Sequence, residues 1–554
     1  MSNNQIQTPE MMPTTRARQE GESGLTPSAF AAPFAEATQE ARQGEMQPLF
    51  GAAAPQPELS GTGFTYRHNW GARRGQWKLL LNWGDVNPRS KVFVAIGEGA
   101  GPDVDAGKFI GGARYTLHNV APRAGGVDIW VNIEWNSDIS LYVDYLVVNP
   151  PVTIRTVQVT VQRHSSVALS DADADRILGD MGTILQSDDS PADVATPVRF
   201  VRNGPVQVLP AGIPATIQTE ADLTALLNAG TGVKIVQAIR WCGGPGGSII
   251  GCAPVGSPTV NLAAVRFTAN QEGLIWVHEY GHNTGLGHRT DDPRAVMFPS
   301  VGVDHNVVNG AESAAYLAGP VALEGAVMAS SCALGALVQP PQDVRAFVSQ
   351  HWIAGIPYLA ASQYTEADAR RLLEWLVNEP EKHDEFLPEI VTTLGFIGSE
   401  IAVQPLIDFV HSARASRAVF NAKNAALIHL GDLINKSGSA LALDFLTRIA
   451  TDREAAITLA VARATIAQAE AAVAGVTAST LDELAAELAV SAMFGLALAG
   501  NPAAEQTLAG LAQAATAFAA VKGAAGEALA LSQAVRAQGQ KAYYSARCGT
   551  ASQP

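Results

Sequence analysis

From residue 62 onward the chain runs in short segments that alternate apolar and polar side chains. Trp77-Lys78-Leu79-Leu80-Leu81-Asn82-Trp83 and Val127 to Trp135 step in twos, and Leu141 to Val148 follows as a denser apolar run. Side chains of a strand point alternately to opposite faces, so a period of two predicts strands with one buried face. Gly, Pro and Asn separate the runs as turn residues do. Residues 61–151 are therefore predicted as an antiparallel, β-sandwich-like domain. Trp70, Trp77, Trp83, Trp130 and Trp135 fall here. Core filling is favoured for them over a surface that binds sugars or peptides.

Between 152 and 358 strand and helix signals alternate, as in an α+β domain. Thr153 to Arg163, Val198 to Val201, Val206 to Leu209, Lys234 to Trp241 and Thr259 to Phe267 read as strands. Ser170 reads as a helix N-cap before Ile177, Leu178, Met181, Ile184 and Leu185 at helical spacing. Glu220 to Leu227 and Asn270 to Gly285 also read as helices. Residues 359–548 turn Ala- and Leu-rich, and a phrase recurs there. Leu394-Gly395 to Gly398, Leu430-Gly431 and Phe494-Gly495 to Gly500 each precede an amphipathic helix signal. The phrase resembles HEAT-type repeats, whose helix pairs stack into a solenoid; an Ala-rich helical bundle is the alternative. Residues 1–60 show neither period and carry Pro9, Pro13, Pro27, Pro33, Pro48, Pro55 and Pro57, which predicts a disordered leader.

With 554 residues the chain has room for about three domains. A formal charge of −15 repels phosphate backbones, so nucleic acid and anionic membrane surfaces are not expected partners. No stretch reads as a membrane span. The N-terminus lacks the charged and apolar regions of a signal peptide. The chain then stays in the cell, leaves by a route without a classical signal, or is numbered after processing. Cys242 and Cys252 flank the turn Gly243-Gly244-Pro245-Gly246-Gly247. A local disulfide and two buried thiols are both open readings.

The segment His278-Glu279-Tyr280-Gly281-His282-Asn283-Thr284-Gly285-Leu286-Gly287-His288 carries chemistry. Residues four apart share a helix face, so His278 and His282 can direct two imidazoles at one metal ion. Glu279 beside them can reach a water on that metal. Gly285 falls where the helix must stop and turn, which lets His288 swing back as a third ligand. Three neutral imidazoles suit Zn²⁺ and leave a fourth position open. Asp171, Asp173 and Asp175 mimic the start of a calcium loop, but Arg176 and Gly182 break it; they read as acids in a first helical turn. Asp291, Asp292 and Asp304 could hold Ca²⁺, although a solvated loop is favoured.

This eleven-residue motif, followed by Ala295-Val296-Met297-Phe298-Pro299, resembles the metzincin zinc proteases, with Met297 at the methionine of their Met-turn. The resemblance covers roughly 155–355 and implies a zinc endopeptidase with Glu279 as general base. It also implies a closing helix, matched by Pro341 to Trp352. The substrate-aligning edge strand is matched by Thr259 to Phe267. The Met-turn is most like that of matrixins. Arg289 after the third histidine departs from the well-known subfamilies, and Pro299 stands where a fifth, tyrosine ligand would be. Residues 301–340 are inserted chain. No cysteine precedes Cys242, so a thiolate latch from the N-terminal region is excluded.

The expected function is thus cleavage of protein or peptide substrates, as an exported effector or toxin, with a protein partner on the helical domain. A non-catalytic binding or scaffold protein using the helical and β-domains is the alternative.

Overall fold

The computed structural model describes residues 35–40, 47–48, 62–101, 107–150, 153–187, 193–302, 304–324, 328, 343–379, 381–514 and 519–547. The chain divides into two compact units, Met1–Val152 and Thr153–Pro554. Its N-terminal half is strand-rich and its C-terminal half helical.

The first unit contains β1 (Ala35–Glu40), β2 (Gln47–Pro48), β3 (Thr62–Arg73), β4 (Gly75–Asn82), β5 (Lys91–Gly99), β6 (Lys108–Phe109), β7 (Arg114–Arg123), β8 (Gly126–Glu134) and β9 (Ile139–Asn149). They form a sheet of order β1-β4-β8-β7 and another of order β2-β3-β9-β5-β6. Alternate residues Leu79, Leu81, Ile129, Val131 and Ile133 of the first share a core with Tyr66, Trp70, Val143, Tyr145 and Val147 of the second. Trp70 and Trp83 are buried in it, whereas Trp135 is exposed. Of the expected disordered leader 1–60, residues 35–40 and 47–48 are described, and both are strands; the rest lies outside the described residues. Ala35–Glu40 has no proline and pairs in parallel with Trp77–Asn82. It satisfies backbone groups that β4 would otherwise leave open.

The second unit opens with β10 (Arg155–Val159), β11 (Val161–Arg163), α1 (Asp171–Gln186), β12 (Val198–Arg202), β13 (Gln207–Val208), β14 (Thr216–Ile217) and α2 (Glu220–Asn228). Next come β15 (Gly232–Val236), β16 (Ala238–Trp241), β17 (Pro245–Ile249), β18 (Gly251–Cys252), β19 (Asn261–Val265) and α3 (Glu272–Asn283). After them lie β20 (Ser300–Val301), α4 (Gly310–Ala318), α5 (Val344–Val348) and β21 (His351–Trp352). Ser170 caps α1 in a capping box with Asp173, Asp171 lies in the same first turn, and Asp175 pairs with Arg202. The main sheet has the order β13-β11-β15-β19-β18. Its strands are parallel except β18, which is antiparallel to β19. The edge nearest α3 is therefore β18, and the strand Thr259 to Phe267, expected at the edge, lies one position inside. The closing helix expected over Pro341 to Trp352 is also shorter. Among the described residues of that span only Val344–Val348 is helical, because His351–Trp352 pairs with Ser300–Val301 as a strand. Pro341 and Gln342 lie outside the described residues.

The remaining helices are α6 (Tyr358–Ala361), α7 (Glu366–Leu373), α8 (Leu387–Ile397), α9 (Val403–His411), α10 (Arg417–Ser437), α11 (Ala440–Thr451), α12 (Arg453–Ala474), α13 (Leu481–Ala499), α14 (Pro502–Gln513), α15 (Ala519–Gln538) and α16 (Gln540–Arg547). Helices α8, α10, α13 and α15 pack in succession. The recurring glycine phrase explains how. A Cβ at Gly395 would strike His429, one at Gly431 the backbone of Gly495, and one at Gly495 that of Leu427. The glycines at the helix ends, Gly398, Gly438 and Gly500, take the left-handed conformation that stops each helix.

These helices share a core with the sheet. Val233, Ile235, Leu262 and Ala264 face α1 and α3. Val236, Ile239, Cys252 and Ala263 belong to the core of α8, α10 and α13. Period-two alternation thus gives both sheet faces an apolar cover, and the core runs through the domain boundary expected at 358/359. Helix α12 meets the length and apolarity of a membrane-crossing segment, with a mean hydropathy of 1.3. No such segment was expected. Ala456, Leu459, Ala460 and Ala464 on it are buried in the shared core.

Candidate metal centre

Helix α3 is buried along its whole length. Its N-terminal Glu272 is held by Arg176 at 2.8 Å and Arg266 at 2.5 Å. One helical turn separates His278 from His282, and both rings point the same way. Helix α3 stops before Gly285, whose φ of +89° turns the chain. The loop then returns His288 to the same place. One nitrogen from each of the three rings lies within 4.8 Å of the others.

The hydrogen bonds fix which nitrogens face inward. His278 Nδ1 lies 2.9 Å from the Val296 carbonyl and His282 Nδ1 lies 2.8 Å from the Leu286 carbonyl. A carbonyl oxygen only accepts, so both Nδ1 atoms carry the proton. In a neutral ring Nε2 is then an unprotonated lone pair. The two Nε2 atoms lie 3.1 Å apart. Burial holds the His278 and His288 rings well below the usual histidine range and brings His282 down to about 4. Two lone pairs facing each other repel unless a cation sits between them. His288 Nε2 is buried and has no hydrogen-bond partner among the described residues, nor has either oxygen of Glu279. This donor set fits a nitrogen-liganded transition metal, with carbonyls fixing the ring tautomers behind it.

Glu279 is 1% exposed, and burial pushes its carboxyl well above the usual range. It lies against β18, where a Cβ at Gly251 would strike its Oε1. Beneath α3, Met297 is fully buried. Its sulfur fills the place a Cβ on Gly281 would need and accepts from the Tyr316 hydroxyl at 3.1 Å. Arg289 is structural. Its N–H donates to the Met297 carbonyl at 2.9 Å, and its guanidinium pairs with buried Glu312 at 2.5 Å. It ties the third-histidine loop to the turn and to α4. Gly251, Tyr316 and Glu312 carried no signal in the sequence, because each is distant along the chain from the motif. Gly281, inside the motif, was visible only as a spacer.

Cys242 and Cys252 are joined by a disulfide, with Cα atoms 5.8 Å apart. It closes the loop that leads into β18. Asp291 and Asp292 pair with Arg289 at 3.2 Å and with Arg294 at 3.0 Å.

A search of protein families, curated proteins and solved structures finds no match to this chain.

Proposed function

We propose that this protein is a zinc-dependent endopeptidase of the metzincin type, joined to a β-sandwich-like N-terminal domain and a HEAT-like helical region. The observation that carries the reading is the convergence of His278, His282 and His288, two of whose inward lone pairs face each other 3.1 Å apart. Met297 beneath the centre and the antiparallel edge β18 beside Glu279 support the metzincin assignment. A bound zinc ion would polarise a peptide carbonyl and bring the pKa of a coordinated water toward about 7.

The chain's own residues supply the rest. The Val296 and Leu286 carbonyls keep His278 and His282 in the tautomer that presents Nε2. Glu279 takes a proton from water at its carboxylate and later gives it to the leaving amine. The disulfide favours an oxidising compartment, consistent with an exported enzyme or effector. The helical region would select a protein partner or substrate.

One observation favours a second reading, a binding or scaffold protein that no longer cleaves: His278, Glu279 and His282 are sealed from solvent. Incubation of the full chain with denatured casein separates the two. The peptidase reading expects cleavage that o-phenanthroline stops and zinc restores. Bound zinc without cleavage of casein or gelatin would favour the scaffold.

A further inference from the structure

Ala467, Ala471 and Ala474 stand four and three residues apart on α12, so they share one face of that helix. Together with Val167 before α1, Phe420 on α10 and Leu484 on α13 they line a cavity of about 420 Å³, a size within the range of small-molecule sites. A helix face of methyl groups leaves this space open where longer side chains would fill it. Val167, Phe420 and Leu484 are buried, so the walls are apolar. The loop between α12 and α13 is fastened to the sheet region at two points. Thr477 N–H donates to the Ser165 carbonyl at 3.2 Å, and the Ser479 hydroxyl donates to Gln237 Oε1 at 3.3 Å.

The charges that line the cavity are not all matched. Arg266 is held by Glu272 at 2.5 Å, and Arg463, 5% exposed, is held by Glu470 at 2.6 Å. Glu487 accepts from the Thr216 hydroxyl at 2.9 Å. Burial pushes its carboxyl up to about 7, so much of it is uncharged near neutrality. Arg417, in the first turn of α10, is the cation left over. It is exposed at the cavity, and its guanidinium makes no hydrogen bond or ion pair among the described residues. Partial burial and the like charge of Arg463 hold its pKa below the ordinary arginine value, with Glu470 and Glu487 opposing them. A guanidinium meets a carboxylate through two parallel N–H bonds. One surplus positive charge matches one negative charge, whereas a phosphate dianion would meet Glu470 as a like charge.

We propose that this cavity binds a small organic acid: its carboxylate takes the Arg417 guanidinium, and its apolar body lies along the alanine face of α12. No residue of the metal centre lines the cavity, so the inference goes beyond the peptidase reading and does not depend on it. The walls come from the sheet region and from the helices. A bound acid therefore bridges the two and stabilises the second unit by mass action.

The test uses the full chain and octanoate as the probe, in titration calorimetry beside octanol and acetate. The inference expects about one octanoate per chain. Octanol lacks the charge and acetate lacks the apolar body, so each should bind at least about tenfold more weakly. Arg417→Gln alters an exposed side chain and should lose at least about tenfold in octanoate affinity. Octanoate should raise the melting temperature of the parent and not that of the variant. Ala471→Leu, which fills the space and keeps every charge, should also lose binding; if it fails to fold, Arg417→Gln decides alone. An absence of octanoate binding would overturn the inference. So would octanol or acetate binding as tightly as octanoate, folded Ala471→Leu binding octanoate as the parent does, or Arg417→Gln with parental affinity, which would place the acid elsewhere on the surface.

Discussion

Two buried histidine clusters lie in the second unit, and they are wired in opposite ways. In the helical region His429 Nδ1 lies 2.8 Å from Asp432 Oδ2. The other oxygen of Asp432 accepts from Gln540 at 2.6 Å and from the Tyr544 hydroxyl at 2.9 Å. Among these four side chains only His429 Nε2 lacks a partner among the described residues. The network pins α16 to α10. In α3 the pattern is reversed. The outer nitrogens of His278 and His282 are bonded, while one inward nitrogen from each of the three rings converges and the Glu279 oxygens have no hydrogen-bond partner among the described residues. A buried polar atom without a partner costs about 1–3 kcal/mol. A fold carries several of them in one place where a ligand removes the cost. Buried polarity that is paired fastens structure; buried polarity that converges unpaired is a site.

The comparison breaks most visibly at the two acids. Glu279→Gln should lower casein cleavage by about 10²–10⁴-fold, the usual contribution of a general base, with zinc content unchanged. Asp432→Ala should leave zinc content alone and destabilise the fold by about 1–3 kcal/mol in urea denaturation, because the buried donors of Gln540 and Tyr544 and the His429 ring lose their partner. If Asp432→Ala abolished zinc binding instead, the two clusters would not be independent.

A third buried acid sharpens the picture through pH. Glu487 on α13 accepts from the Thr216 hydroxyl at 2.9 Å, joining the sheet region to the helices. Burial pushes its carboxyl up to about 7. The folded value exceeds the unfolded one, so this group favours the fold most below about pH 4.5, and that stability is lost as pH rises through about 7. Glu487→Gln should therefore gain about 2–3 kcal/mol on the parent between pH 5 and pH 8, read from urea midpoints. A parallel pH dependence in both proteins would contradict this. A smaller effect is expected at the helix crossing. Gly431→Ala should cost about 1–3 kcal/mol by overpacking against Gly495, seen as a lower melting temperature with the metal centre intact.

What was legible in the chain was local. The positions of His278, Glu279, His282, Gly285 and His288 follow from helical geometry, and Ser170 announces α1 as its N-cap. The alternation in 77–83 and 127–135 gives β4 and β8. What was not legible depends on partners distant along the chain. Residues 341–352 carry a helical apolar spacing, yet 351–352 obey the open backbone of 300–301. Ala35–Glu40 has no strand period, yet β4 offers it an edge. The edge itself moved from 259–267 to Gly251–Cys252 because strand order is not written in any one strand. The glycine phrase was visible as a repeat, but its purpose, close approach of α8, α10 and α13, appears only when the helices are packed.

The central claim is that the three inward imidazoles of α3 and its following loop form a metal centre. Metal analysis of the purified full chain, beside His282→Ala and His429→Ala, tests it most directly. The account predicts about one zinc per chain for the parent and for His429→Ala, and none for folded His282→Ala. A parent that binds no divalent metal, or a His282→Ala variant that keeps its zinc, would contradict it.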